Sequence, residues 1–479
     1  MPGSFFTGTT FLLTGGLFIM ANESVHNQAP AKRSGFATAL GALIATLGSA
    51  IGLGNIWKFP YLTGENGGAA FLVLYLLATF LVGLPVMISE ILLGRAGRAN
   101  VITTMRKLSP SPRQPWWLIG AAGALSAFLI MAFYTEVAGW VFAYVVRSLT
   151  SNILSTDPQV TLQTFNALVS DPFQSLLWQW VVLILVGGII TFGVAKGIEA
   201  TTKRLIPLLF ILLLIVDVRA LTLPGAGAGL AFLFKPDFSK ISTTAALIAL
   251  GLAFFKLSIG MGAMITYGSY WKDDQNIPST TLRVVLSDLA VSLLAGIAIF
   301  PVVFTYGFEP AAGTKLLFIT LPAVFAQMPL GNVFIFLFFL LTSFAATGAM
   351  VSLVEVLVAF ANEQFHLSRK AATWITVGLL ALVGSTAALS NSTLAGFTPF
   401  GKTLFDLYDF VTSNVLLPVG GLFIAIFVGW VLKPEQVIAQ LTNGGTLSNH
   451  GVVRVFLFVV RYISPLLVLV VLLDSLGVF

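Results

Sequence analysis

The chain has no cysteine, only three histidines and very little charge: Asp, Glu, Lys and Arg together make up 9% of its 479 residues. Without cysteine there are no disulfides, no thiol catalysis and no thiolate metal sites. His26, His366 and His450 fall in or beside polar segments, which argues against a histidine metal cluster. The shortage of charge says most, because soluble domains carry roughly 25% charged residues. Hydrophobic residues fill 57% of the chain instead, with a mean hydropathy of +0.95. Apolar runs of about 20 residues, the length a helix needs to cross a bilayer, recur throughout. They are too long and continuous for barrel strands, so the expected class is an all-α polytopic membrane protein. The net charge of +6 lies in short loops, where it sets topology rather than binding nucleic acid.

Eleven spans are read, at about 36–62, 69–94, 117–148, 176–194, 203–222, 242–270, 281–307, 330–362, 371–389, 404–431 and 452–475. Basic residues collect in alternate connections, which predicts a cytoplasmic N-terminus in a cell inner (plasma) membrane. Residues 1–32 are read as a tail. Within it, residues 4–20 are too short to span and lack the basic flank of a signal peptide, and Met20 offers an alternative start, so residues 1–19 are set aside. Residues 33–479 are read as a single transmembrane domain.

Two spans look broken. The first reads TLGSAIGLGNIWKFPY, with Gly48, Gly52, Gly54 and Asn55 in its middle. The sixth reads FFKLSIGMG, with Gly260 and Gly262 just after Lys256. Glycine costs a helix interior about 1 kcal/mol against alanine. Close packing through small residues would explain either break alone. The first and sixth spans are, however, corresponding members of two five-helix halves, and paired interruptions point to a transporter site at the membrane midplane.

The segments GSAIGLGNIWKFPYLTGENGGAAF, ISEILLGR, GVAKGIEATTKRLIP, FLFKPDF, FFKLSIGMGAMITYGSYW, TLPAVFAQ and RYISP run in order from about residue 33 to about 465. Together they resemble the neurotransmitter:sodium symporter family, in particular its LeuT-like bacterial amino-acid transporters. The resemblance implies two inverted five-helix repeats (about 36–222 and 242–431), an eleventh helix at about 452–475, and alternating access. It implies a substrate site at Ala50, Gly52, Leu53 and Gly54, whose amides face a carboxylate beside Tyr134, with Phe255 as an aromatic lid. The side-chain pocket would be Ile130, Phe255, Ser258, Ile259, Met261, Met350 and Leu353. Its apolar lining suits a neutral hydrophobic amino acid. Lys58 with Asp409 would form the outer gate, and Arg33 with Glu363, beside Phe36, the inner one. A homodimer is left open.

The ion positions depart from the family pattern. One sodium site uses backbone carbonyls and Asn55 of the first helix, a hydroxyl in the sixth and an amide in the seventh. Here the last two positions hold Lys256 and Asp288. Lys256 is expected to replace the metal, its donors facing the old carbonyl ligands, with Asp288 balancing the charge. The second sodium site is expected at Gly48, Ile51, Ala345, Gly348 and Ala349, where neither of the last two side chains can ligate. A six-residue shift would bring in Thr342 and Ser343 but spoils the match downstream. Of the chloride position Tyr75 and Ser292 remain, while Leu252 stands for a glutamine. No cofactor is expected. The resulting expectation is a proton-coupled transporter of neutral hydrophobic amino acids, with Lys256 and Asp288 as the proton-responsive pair. The alternatives are a sodium-coupled symporter and an uncoupled exchanger. An enzyme is disfavoured, because no nucleophile elbow or cluster of acids and bases stands out.

Overall fold

The structure, a computed structural model, describes residues 35–150, 153–310 and 316–475. By its contacts the chain divides into residues 1–33, outside the described range, and residues 34–479, the body described here. Every regular element among the described residues is helical. In chain order these are α1 (Ala39–Ala50), α2 (Gly54–Glu65), α3 (Ala69–Gly97), α4 (Val101–Leu108), α5 (Trp117–Thr150) and α6 (Pro158–Val169). Next come α7 (Pro172–Thr191), α8 (Val194–Leu221), α9 (Ala226–Phe234), α10 (Thr243–Lys256), α11 (Ala263–Gly268) and α12 (Ile277–Thr305). The last are α13 (Leu316–Phe325), α14 (Gly331–Gln364), α15 (Arg369–Asn391), α16 (Leu404–Val431), α17 (Pro434–Leu441) and α18 (His450–Val470).

Eight of these helices are long and apolar enough to cross a membrane, namely α3, α5, α7, α12, α14, α15, α16 and α18. The pair α1 and α2 makes a further span bent by 48°, and α8 turns by 117° into the short α9. The sixth span read from the sequence is divided between α10, which has 14 residues, and α11, which has six. Several helix ends lie outside the boundaries expected from hydropathy. α7 starts at Pro172 because Asp171 caps it, accepting from the amides of Phe173 and Gln174. α8 starts at Val194 because a wide helical turn through Glu199 continues into it from a polar stretch.

Both breaks lie in the buried centre of the bundle. α1 ends at Ala50, and the chain resumes helix at Gly54. Between α10 and α11, Ser258, Gly260 and Gly262 take φ values of 53°, 80° and 74°, a left-handed run that no helix continues through. The long central helices α5 and α14 pack along one another, and α1 packs on α14, α12 and α8. α3 lies directly on α11: a Cβ on Gly94 would fall 1.9 Å from the carbonyl oxygen of Ile265, and one on Gly268 2.5 Å from that of Ile91.

These distances make Gly94 and Gly268 the seam that seats α11. Gly94→Ala should force the backbones apart and cost about 1–3 kcal/mol, whereas Gly188→Ala, with open space around it, should be neutral or slightly stabilising. Thermal unfolding of the two detergent-purified variants checks this; equal melting temperatures would contradict it.

Candidate functional site

The break between α1 and α2 is held open by side chains that substitute for helical hydrogen bonds. The amide of Leu53 donates to the Tyr134 hydroxyl (2.8 Å), and that of Gly52 donates to Oδ1 of Asn55 (3.1 Å). Nδ2 of Asn55 points the other way, to Oδ1 of Asp288 (2.6 Å), the Asp288 carbonyl (3.1 Å) and Ser292 Oγ (3.1 Å). The second break is tied in turn: Ser258 Oγ donates to the Ser49 carbonyl (2.8 Å), and the Gly260 amide donates to Oε1 of Glu90 (2.6 Å). Glu90 of α3 thus anchors the interrupted sixth span.

Between the two breaks lies a small cavity. Ala50, Gly52, Gly54, Ile130, Tyr134, Phe255, Ser258, Met261 and Leu353, all expected at the substrate, line it together with Ser49, Lys256 and Ala349. Three expected residues do not line it. Leu53 reaches the site through its amide, while Ile259 and Met350 are fully buried beside it. Ser49 escaped notice because its Oγ is committed to Ser352, at 2.7 Å, a partner 303 residues away.

Lys256 and Asp288 are both fully buried and pair at 3.1 Å. The direction of the lysine departs from expectation. Its ammonium does not face the backbone carbonyls of the first helix; it donates to the Tyr75 hydroxyl (2.8 Å) and to Ser292 Oγ, beside the Asp288 carboxylate. Asn55 already occupies the side facing the first helix, and the aliphatic stem of Lys256 passes Gly54, where a Cβ would come within 3.0 Å of Lys256 Cγ. The head is therefore sent toward α3 and α12. It lies 4.5 Å from the Tyr75 ring centroid and 5.1 Å from that of Phe59. Tyr75, Ser292, Lys256, Asp288 and Asn55 thus form one hydrogen-bonded network. Its three donors meet two hydroxyls and a carboxylate, a set that satisfies an ammonium completely.

At the other ion position, Gly348 of α14 presses on α1: a Cβ there would lie 2.5 Å from the Gly48 carbonyl oxygen. Ala349 is as close, since a Cβ on Gly52 would fall 2.9 Å from Ala349 Cβ. Thr342 and Ser343 turn their hydroxyls back onto their own helix, to the Phe338 and Leu340 carbonyls, each at 2.7 Å. Ala345 and Ile51 are fully buried in the same packing. Among the described residues no group of three or more His, Cys, Asp or Glu side chains could hold a metal ion.

Above the cavity, Phe255 separates it from a vestibule of about 920 Å³ that includes Lys58, Asp409, Ser413 and Asn414. Lys58 Nζ stands 4.3 Å from the Phe255 ring centroid and 3.4 Å from Asp409, so one ammonium touches both the lid and the opposing helix. At the opposite end the chain is closed. Phe36 packs edge-on against Tyr267 and Tyr270, with ring centroids 5.6 and 5.9 Å away. Tyr270 donates to Glu355 (2.6 Å), and Arg369 clasps the same carboxylate with two nitrogens at 3.0 and 2.6 Å. Glu199 receives the Ala37 amide (2.6 Å) and Lys203 (2.6 Å), pinning the start of α1. Of the expected inner pair, Arg33 lies outside the described residues, and Glu363 accepts from the amide and side chain of Asn100, at 2.7 and 3.0 Å. The Glu355–Arg369 pair was not legible as a gate, because only the packing of α14 on α15 brings its members together.

The geometry is that of a midplane cavity between two broken helices, closed at one end and thinly lidded at the other. The family model described as Sodium:neurotransmitter symporter family matches residues 33–168 and 169–479. An uncharacterized sodium-dependent transporter of Bacillus subtilis, YhdH, is 38% identical over 443 residues, covering 92% of this chain and 98% of its own. The sodium- and chloride-dependent taurine transporter of Canis lupus familiaris is 28% identical over 466 residues, 85% of this chain and 73% of that one. The crystal structure of MhsT in complex with L-phenylalanine superposes with a TM-score of 0.86 at 39% identity, covering 93% of this chain and all of that one. The chain is therefore a multi-pass membrane transporter with the LeuT fold, not an enzyme, and it belongs to the sodium:neurotransmitter symporter family.

Proposed function

We propose that the protein carries neutral, hydrophobic amino acids across the plasma membrane, with its N-terminus in the cytoplasm, and that protons rather than sodium drive uptake. Support for the substrate class comes from the cavity itself. Tyr134 and the backbone between α1 and α2 bring hydrogen-bonding groups to a lining in which Ile130, Phe255, Met261 and Leu353 are apolar. The L-phenylalanine named for the MhsT complex is of this class.

The observation that carries the coupling is the buried Lys256–Asp288 pair, whose lysine lines the cavity. With Asp288 ionised the pair has no net charge, and the ammonium is held on its carboxylate. Protonating Asp288 leaves one net positive charge, the charge a sodium ion would bring. It also weakens the hold on the ammonium, whose residue lines the cavity. Proton and anionic group then favour one another's binding through Coulomb attraction in a site of low dielectric, which is the requirement for symport. The second ion position supports the same reading, since Gly348 and Ala349 bring no ligating oxygen there. Sodium coupling, which the relatives' names attach to those proteins, is the competing reading.

Proteoliposomes given a proton gradient, acid outside, should accumulate labelled leucine, and a sodium gradient alone should not; accumulation with sodium alone would overturn the coupling. Lys256→Met strands a buried carboxylate, so it should abolish accumulation and cost about 3–5 kcal/mol of stability. Lys256→Ser combined with Asp288→Asn restores a hydroxyl and an amide. That variant should recover much of the stability and acquire sodium-stimulated leucine binding, read by scintillation proximity; no response to sodium would count against Lys256 as the replacement for the metal. Tyr134→Phe removes a hydrogen bond to a charged group and should weaken leucine binding by about 10- to 100-fold, with thermal stability falling much less.

A further inference from the structure

A second cavity, of about 950 Å³, opens away from the transport site, between the first turns of α5 and the middle of α16. Trp116, Ile119, Ala122, Val419, Gly420 and Phe423 line it. Its rim is apolar and uncovered, with Leu118 51% and Phe423 43% exposed, so within a bilayer it faces lipid. Behind its wall lies the break in the sixth span. A Cβ on Gly420 would lie 2.8 Å from the carbonyl oxygen of Gly260, and one on Gly123 3.1 Å from the amide nitrogen of Gly262.

The segment that leads into this groove is strongly basic. From residue 91 to residue 135 the chain has no Asp or Glu, yet it carries Arg95, Arg98, Arg106, Lys107 and Arg113. Three of these have partners: Arg98 pairs with Asp273, Arg95 binds Gln440 and the Gln275 carbonyl, and Lys107 donates to the Gly97 carbonyl at 3.4 Å. Arg106, Lys107 and Arg113 are exposed and lie in the segment that leads into α5. The Arg106 guanidinium is 5.4 Å from the Trp117 ring centroid, and the Trp116 indole donates to Gln114 at 3.1 Å, an arrangement suited to the membrane–water interface. Cations gathered at the head of an apolar groove match an anionic headgroup attached to an acyl chain.

We propose that this groove is a binding site for an anionic phospholipid, one acyl chain lying between α5 and α16 and the phosphate on Arg106, Lys107 and Arg113. The lipid so held lies against the two helices, α5 and α16, that pack on Gly260 and Gly262, the turn on which the sixth span depends. Each of the three cations contributes to holding the headgroup, and Trp116 touches the upper part of the chain.

The test uses the full-length transporter in phosphatidylcholine vesicles doped with phosphatidylglycerol brominated on its acyl chains, which quenches tryptophans it touches. A component of quenching saturating at low phosphatidylglycerol content is expected in the native protein and absent in Trp116→Phe. Unbrominated phosphatidylglycerol should compete it away and phosphatidylcholine should not. Replacing Arg106, Lys107 and Arg113 together by Gln should raise the phosphatidylglycerol fraction needed, by about fivefold for each charge removed. Equal quenching by brominated phosphatidylcholine and phosphatidylglycerol would overturn the proposal. So would a Trp116 component that neither lipid quenches, as when a second copy of the chain covers the groove.

Discussion

A single ion pair, Lys256 with Asp288, sits at the junction of α10, α12, α3 and the break in the first span. Neither partner touches water, so each depends on the other and on the hydroxyls of Tyr75 and Ser292 for the solvation it lost on folding. Asn55 extends the network into the first span, and through the Gly52 amide it reaches the backbone that faces the cavity. A change of charge at Asp288 is therefore felt two hydrogen bonds away, at the place where helix 1 is unwound. The break in the first span belongs to the same network, because a regular helix through residues 51–53 would leave no amide for Asn55 or Tyr134 to hold.

The ends of the transport path differ in how they are closed. On the Phe255 side one aromatic ring and one ion pair of 3.4 Å, partly exposed, separate cavity from vestibule. Pairs of that kind contribute little, about 0–1 kcal/mol. On the Tyr270 side, Glu355 is fully buried and bonded by a tyrosine and a bidentate arginine, while Glu199 and Lys272 pin the chain at Ala37. The conformation is thus one in which the first barrier to yield is Phe255 with Lys58.

Much of this was legible in the sequence, for identifiable reasons. The spans are continuous apolar runs of bilayer length, and the two breaks show as glycine clusters at corresponding places in two halves. Most of the cavity lining followed from the motif around the first break and from FFKLSIGMG. Three features were hidden because they depend on where distant helices lie. The direction of the Lys256 head is decided by Asn55 and by the stem's passage along Gly54, neither visible from its own helix. Ser49 reads as a small packing residue until Ser352 is placed beside it. Arg369 reads as a loop charge until α15 folds onto α14 and brings it to Glu355. The helix starts at Pro172 and Val194 were missed because hydropathy says nothing of an aspartate cap or of a polar turn that remains helical.

The most direct test of the account is proton movement itself. Proteoliposomes loaded with a pH-sensitive dye, at equal pH inside and out and without sodium, should acidify internally when leucine is added outside, and should not do so with Lys256→Met. An unchanged internal pH during leucine uptake, with radioactive sodium entering alongside when sodium is supplied, would contradict the assignment of Lys256 and Asp288 as the coupling pair.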